Sequence, residues 1–404
     1  MNFKDNFSYF KNNSKEIYFD SAATAIKFDK VIKAQSDYDL KIGANTHNNL
    51  FDNAYKANQM VSETRSKIAK FIGIDDKNEI IFTSGTTHSL NQLVFGMRNY
   101  LKKNDEILLT KLEHSSNLLP WMVLSQEESL KIDYLDLDEK FLIDISKLKN
   151  KITTKTKIIS FAMNSNTTAG LNDVVAIVKE IRKLNKKIII ILDLAQSIKQ
   201  NKINIKQLDV DCVAFSTHKI YGPFGLGILW ARKEILEFLK PIFYGGGNNV
   251  SISTNTYKLA PIPDKFEAGT LNLSAIYAFN VCLDILEELK LEKMIAYEEE
   301  LKKYFRAKVK DIDRKKFEFY NLENDQPIVL FNMKNVNSQD FGSFLNKKYN
   351  ISVRVGKHCS RLANELFKVS STIRASFSIY NSKEDIDKFI EALKDCDNWI
   401  NEIL

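Results

Sequence analysis

Up to residue 231 the chain alternates short apolar runs with segments of helical spacing. Strand-like runs fall at Glu79–Thr83, Glu106–Thr110, Lys131–Leu135, Lys157–Ala162, Lys187–Leu192, Cys212–Phe215 and Gly227–Trp230. Helix-period segments lie at Ala54–Phe71, Thr87–Tyr100 and Val174–Leu184, the last preceded by Asp173, a residue type that caps helix starts. This alternation predicts an α/β fold with a mainly parallel seven-stranded sheet between helices. Ligands of such folds bind beyond the carboxyl ends of the strands, so the residues that follow each run are where chemistry is sought.

The pattern changes after Pro261-Ile262-Pro263. Long helical segments, Ser274–Leu289 and Glu292–Lys310, precede short strand candidates at Ile328–Asn332 and Ile351–Val355, and Lys383 to Leu404 is an amphipathic packing helix. Two domains are therefore expected, a large one over residues 16–264 and a smaller C-terminal α/β domain over 265–404. Residues 1–15 are expected to pack on the smaller one. No internal repeat or low-complexity linker interrupts this organisation.

Composition narrows the classes. With 404 residues and 44% hydrophobic positions, the chain can bury a large core. The net charge of +7 is spread through lysines along the chain, with no basic stripe and no nucleic-acid module, so nucleic acid is not an expected partner. A mild basic excess suits an acidic protein partner. Met1 to Glu16 is polar, and runs such as Ile188 to Leu192 are far too short to span a bilayer. A soluble cytoplasmic protein without membrane contact is expected. The four cysteines, Cys212, Cys282, Cys359 and Cys396, form no C-x-x-C pair, which argues against a disulfide framework or a metal site.

Candidate chemistry begins at two strand ends. Lys187–Leu192 runs into Asp193, with Gln196 three positions on; Cys212–Phe215 runs into Ser216-Thr217-His218-Lys219. A lysine after a strand is ordinarily a solvated loop residue, and a lone histidine ordinarily a structural one. The linked set changes that reading, because Gly222-Pro223-Phe224-Gly225-Leu226-Gly227 follows, and glycines let a chain turn closely around a cofactor. An acid and a lysine at adjacent strand ends suit pyridoxal 5'-phosphate: the carboxylate keeps the ring nitrogen protonated, the amine forms a Schiff base, and Ser216 and His218 can reach the phosphate.

Other stretches fit the same site. Ser84-Gly85-Thr86-Thr87 opens a helix, where free N–H groups and hydroxyls can hold phosphate, although helix starts often carry Ser or Thr merely as caps. His114, in Glu113-His114, is placed to stack on an aromatic ring. Phe266-Glu267-Ala268-Gly269-Thr270 lies at the domain junction and otherwise reads as an ordinary turn. In the last domain, Val353-Arg354-Val355-Gly356-Lys357-His358-Cys359-Ser360 puts a cysteine on a glycine-containing loop beside Lys357 and His358, and cationic neighbours favour a nucleophilic thiolate. Cys212 and Cys282 read as buried core cysteines. Arg374, in Ile373-Arg374-Ala375-Ser376, can pair bidentately with a carboxylate; alone it would read as a surface salt bridge.

In order along the chain, these motifs resemble the Suf-type (group II) cysteine desulfurases of the class V aminotransferase superfamily, fold-type I pyridoxal phosphate enzymes. The resemblance runs from Tyr18-Phe19-Asp20-Ser21-Ala22-Ala23-Thr24 through Asn45-Thr46-His47, Gly85-Thr86-Thr87, Glu113-His114, Ser165-Asn166, the Asp193 and Lys219 motifs and Phe266 to Thr270. It closes with Val353 to Cys359 and Arg374 to Asn381. It implies that Lys219 is the Schiff-base lysine and proton shuttle, and that Asp193 pairs with the ring nitrogen. Gln196 and Asn166 would meet the ring hydroxyl or substrate, and His114 would stack on the ring. Thr86, Thr87, Ser216 and His218 would bind phosphate, with Thr270 from the other subunit of a homodimer. Arg374, with Arg354 and His47, would hold L-cysteine, and Cys359 would take its sulfur, leaving alanine and a persulfide for a small acceptor protein.

Four features depart from the family pattern. His47-Asn48-Asn49 stands where His-Arg-Gly is usual, Lys357 where His is common, and Ser360-Arg361-Leu362-Ala363 where small residues and Pro follow the nucleophile. Asn166 precedes Thr167-Thr168-Ala169-Gly170, with its glycine one residue late. None removes a group that the chemistry requires. A selenocysteine lyase or another class V lyase, or a weakly active sulfur-transfer scaffold, are the competing readings; loss of Cys359 should spare selenocysteine cleavage but not desulfuration.

Overall fold

The computed structural model describes residues 3–46, 48–324 and 326–402. A seven-stranded sheet forms its centre: β1 (Ile80–Thr83), β2 (Glu106–Leu109), β3 (Lys131–Tyr134), β4 (Thr156–Ala162), β5 (Ile189–Asp193), β6 (Cys212–Ser216) and β7 (Gly227–Ala231). Their spatial order is β1-β7-β6-β5-β4-β2-β3. β7 runs antiparallel to both neighbours and every other pair is parallel. Every residue of β5, β6 and β7 is buried. Helices cover both faces of strands in this position, so they read as unbroken apolar runs. Edge strand β3 alternates instead, with Lys131 and Asp133 exposed.

The expected helices form with small shifts, over Asp52–Ile72, Thr86–Gly96 and Val174–Leu184. Asp173 caps the last, accepting the Ala176 N–H at 3.0 Å, and Val174, Ile177, Val178 and Ile181 make its buried face. Helices over Asp29–Lys41, Ser115–Glu128 and Ser338–Tyr349 are additional to the expectation. In Ser115–Glu128 the signal is blurred by Pro120 inside the helix and by Leu119 and Met122, which are exposed beside buried Leu118, Trp121 and Leu124. Among the described residues no helix is long and apolar enough to cross a membrane.

A second, antiparallel sheet is ordered Phe317–Phe319, Ile328–Met333, Thr372–Ser376, Arg354–Gly356. Phe331, Phe341, Phe344, Phe377 and Phe389 build its separate core, closed by Leu301 and Phe305. The expected strand Ile351–Val355 is broken at Val353. Its first part, Ile351–Ser352, pairs in parallel with Ile17–Tyr18, and Arg354 begins the edge of the four-stranded sheet. The sequence pattern places residues 1–15 on the smaller domain. Phe3, Phe7 and Phe10 lie in the core flanking the large sheet, Phe7 stacking on Phe28 at 4.8 Å, while Ile17 and Phe19 enter the smaller core. Arg374 occupies the middle of the fully buried strand Thr372–Ser376, facing the large sheet across the junction.

Candidate active site

β5 and β6 lie side by side in parallel, with Asp193 opposite Ala214, so their carboxyl ends bring Asp193 and Lys219 to one place. Lys219 ends a single 3-10 turn, Thr217–Lys219, directly after β6. Its amine makes no hydrogen bond or ion pair among the described residues. Burial lowers its pKa from 10.5 to about 8, against the opposing pull of Asp193. Asp193 is itself buried and shifted upward by burial, while the Ala195 N–H, donated to it at 2.8 Å, and Lys219 restrain the shift. The Gln196 amide donates to the Ala22 carbonyl at 2.8 Å. These groups line a cleft of about 220 Å³.

Hydroxyls and two helix starts gather at one end of the cleft. The Thr86 N–H donates to Ser216 Oγ at 2.7 Å, and Thr86 Oγ1 shares a second 2.7 Å bond with the same oxygen. Thr87 Oγ1 meets Ser116 Oγ at 2.7 Å, and Ser116 also meets His114 Nδ1 at 3.0 Å. His218 bonds Thr24 Oγ1 at 3.2 Å and stacks on Phe224. Helices Thr86–Gly96 and Ser115–Glu128 both point their amino ends here, an arrangement that favours an anion such as phosphate. Burial lowers both His114 and His218 to about 4, so each ring is neutral at pH 7. A Cβ on Gly227 would lie 2.4 Å from Gly85 Cα, so only glycine lets the Ser84-Gly85 turn pass so close to β7.

The opposite wall comes from the smaller sheet. After Arg354–Gly356 the chain turns through Gly356 (φ 124°), His358 (φ 49°) and Cys359 (φ 56°). Cys359 is exposed and lines the cleft, whereas Cys212, Cys282 and Cys396 are buried. Burial pushes the Cys212 and Cys282 thiols well up, which makes them inert. His358 differs from expectation. Burial first, then Arg374 and Arg354, lower it to about 3, so it is a neutral ring held by Thr372 Oγ1 at 2.8 Å and not a cation beside the cysteine.

Arg374 is 3% exposed, and its guanidinium donates to the Asn166 carbonyl at 2.9 Å and to Asp20 Oδ1 at 3.2 Å. Its Nε is buried without a partner among the described residues. Arg354 reaches the other Asp20 oxygen at 3.6 Å. Asn166 uses both side-chain atoms on the cysteine loop: its amide donates to the His358 carbonyl at 2.7 Å, and its oxygen accepts from Ser360 Oγ at 2.8 Å. One amide hydrogen and one lone pair remain for a ligand.

Lys219, Asp193, Gln196, His114, Asn166, Thr86, Thr87, Ser216, His218, Cys359, Arg374 and Arg354 thus all line one cleft. Thr270 does not; it is exposed and bonds Asn45 at 3.4 Å. His47 lies outside the described residues. Sequence reasoning passed over Ser116 and gave Asp20 no role. The signals were available: a Ser-Ser pair just after His114 at a helix start, and the one acid in the Tyr18 to Thr24 stretch.

Comparisons with known proteins agree with this architecture. Residues 17–389 match the aminotransferase class-V family. A probable cysteine desulfurase of Ureaplasma parvum serovar 3 is 37% identical over 97% of this chain and 96% of its own length. A cysteine desulfurase of Wigglesworthia glossinidia brevipalpis is 35% identical over 95% and 93%. Among solved structures, the cysteine desulfurase CsdA from Escherichia coli superposes with a TM-score of 0.90 at 28% identity, covering 100% of this chain and 98% of that one. Apo cysteine desulfurase from Thermococcus onnurineus NA1 also gives 0.90, at 30% identity and 96% coverage of each chain. With nearly its whole length accounted for by that match and by relatives that bear the cysteine desulfurase name, the chain belongs to the aminotransferase class-V family.

Proposed function

We propose that this protein is a pyridoxal 5'-phosphate-dependent cysteine desulfurase of the Suf type, converting L-cysteine to L-alanine with the sulfur left as a persulfide on Cys359. One observation carries the reading: an exposed cysteine, on a loop from the smaller sheet, lines the same cleft as a half-buried lysine, unpaired among the described residues, and a buried arginine. The donor set fits the cofactor, with an acid and an amine at one end and hydroxyls at two helix starts at the other. When bound, the cofactor supplies an electron-poor ring that stabilises negative charge on the substrate carbon.

In this reading Asp193 faces the ring nitrogen and His114 the ring face, with Gln196 and Asn166 near the ring hydroxyl. Thr86, Thr87, Ser216 and His218 hold the phosphate, and Thr270 serves the neighbouring subunit of a homodimer. Arg374, with Arg354 and His47, orients the cysteine carboxylate. Lys219, whose amine titrates at about 8, is placed to move a proton at the substrate Cα at neutral pH. Cys359 Sγ then forms an S–S bond as the substrate C–S bond breaks, the electron pair staying with carbon, which is protonated to give alanine. The persulfide passes to a small acceptor protein for iron–sulfur or other thio-cofactor synthesis in the cytoplasm. The large domain, 16–264, carries the cofactor and the smaller one, 265–404, the nucleophile.

The test is release of alanine and sulfide from L-cysteine with a reductant present. Equal yields, lost in both Cys359→Ala and Lys219→Ala, are expected. Full activity in Cys359→Ala would overturn the nucleophile assignment and favour another lyase, such as one acting on selenocysteine. A cofactor-loaded wild type that releases nothing with or without acceptor proteins would favour the scaffold reading.

A further inference from the structure

The Cys359 loop is fastened to the large-sheet side of the cleft by contacts that the chemistry above does not use. The Cys359 carbonyl accepts the Ser115 N–H at 2.7 Å and the Ser115 hydroxyl at 2.8 Å. On either side of it, the His358 carbonyl and the Ser360 hydroxyl are held by the Asn166 amide. Ser115 is the first residue of the 14-residue helix Ser115–Glu128. Its N–H is one of the helix-start donors that has no partner within the helix, and here a carbonyl of the nucleophile's own peptide fills it. His358 and Cys359 both sit in the left-handed backbone region (φ 49° and 56°). Non-glycine residues keep that conformation only where surrounding contacts impose it.

We propose that Ser115 is a positioning residue for Cys359: its two donors hold the Cys359 carbonyl and so fix where the thiol stands in the cleft. The consequence for sulfur transfer rests on the desulfurase reading; the fastening itself does not. Because Ser115 lies on the large-sheet side and the loop on the smaller sheet, the clamp sets the nucleophile's place across the junction. Cysteine binding depends on Arg374 and should be left as it is.

The variants separate the two donors. Ser115→Ala removes the hydroxyl, Ser115→Thr keeps both donors, and Ser115→Pro removes both. Proline is well tolerated at the first helical position, and the preceding His114 already has the extended backbone (φ −61°, ψ 147°) that proline requires. Two quantities are read on cofactor-loaded protein: hydrogen exchange of the Ser360 and Ala363 amides, and single-turnover persulfide formation on Cys359. Relative to wild type, exchange should rise about fivefold in S115A and about thirtyfold in S115P, and stay unchanged in S115T. Persulfide formation should slow in the same order, with half-saturation by cysteine unchanged.

Wild-type exchange in S115P overturns the clamp. Faster exchange with wild-type persulfide formation overturns its positioning role. Should S115P melt early, S115A decides against S115T, and equal exchange in those two is likewise fatal. A wild type silent towards cysteine would sink the desulfurase reading, and the exchange comparison would still judge the clamp separately.

Discussion

Lys219 should weaken the cofactor-free protein, and the size of the effect follows from its burial. Its amine titrates at about 8 in the fold against the usual 10.5, because burial disfavours the charged form more than Asp193 restores it. A lysine shifted downward costs stability wherever the unfolded chain holds the proton more tightly. The cost is complete below the folded pKa and fades as pH rises from 8 towards 10.5. At about 1.4 kcal/mol per pH unit, the penalty is roughly 3 kcal/mol at pH 7 and falls below about 1 kcal/mol at pH 10. Replacing Lys219 by Met keeps the stem and removes the charge. Urea unfolding of cofactor-free protein at pH 7 should therefore show K219M more stable than wild type by about 3 kcal/mol, with the gap closing at pH 10. A gap that is absent at pH 7, or the same at both pH values, would refute the account of Lys219 as a desolvated amine held ready for a ligand.

Three further outcomes are expected. Arg374→Lys loses the planar fork while keeping the charge, so KM for cysteine should rise at least about tenfold, by steady-state kinetics, with kcat less affected. Gly227→Ala would drive a Cβ to 2.4–2.6 Å from three backbone atoms of Gly85, none of which is a flexible side-chain end. A loss of about 3 kcal/mol or more in melting experiments, and weaker pyridoxal phosphate binding by titration, should result. The buried Arg65 guanidinium pairs with Glu267, which also accepts the Phe82 N–H at 2.7 Å, so Arg65→Met leaves an uncompensated buried carboxylate. Denaturant unfolding should show a loss of about 3–5 kcal/mol, smaller in the double variant Arg65→Met, Glu267→Gln.

Much of the cleft wall built by the large sheet was legible along the chain because its determinants are local. β5, β6 and β7 are covered on both faces, so their sequences are unbroken apolar runs, and the residues at their ends announce themselves by position. Asp193 and Lys219 could be paired from sequence because parallel strands joined by a short connection put their carboxyl ends side by side. The Cys359 loop was visible as a type of sequence, a cysteine after a glycine, though not as a place. The strand that carries Arg374 alternates polar and apolar residues as a half-exposed strand would, yet Thr372, Arg374 and Ser376 are all buried, so the depth of its polar face was hidden.

Tertiary structure alone decided what those polar groups do. Arg374 meets Asp20 across 354 residues of chain and Asn166 across 208, and Ser115 meets the Cys359 carbonyl across 244. Hydrogen bonds between such distant residues leave no period or spacing in a sequence. His358 shows the same limit. Beside Lys357 in the sequence it reads as a cation, but the fold buries it next to two arginines and makes it neutral. The sequence by itself determined which chemical groups stand at the strand ends, because backbone geometry and burial are written locally. Their charge states, and the anchoring of the Cys359 loop, came only with the packing of two sheets against each other, since desolvation and long-range pairing exist only in the folded chain.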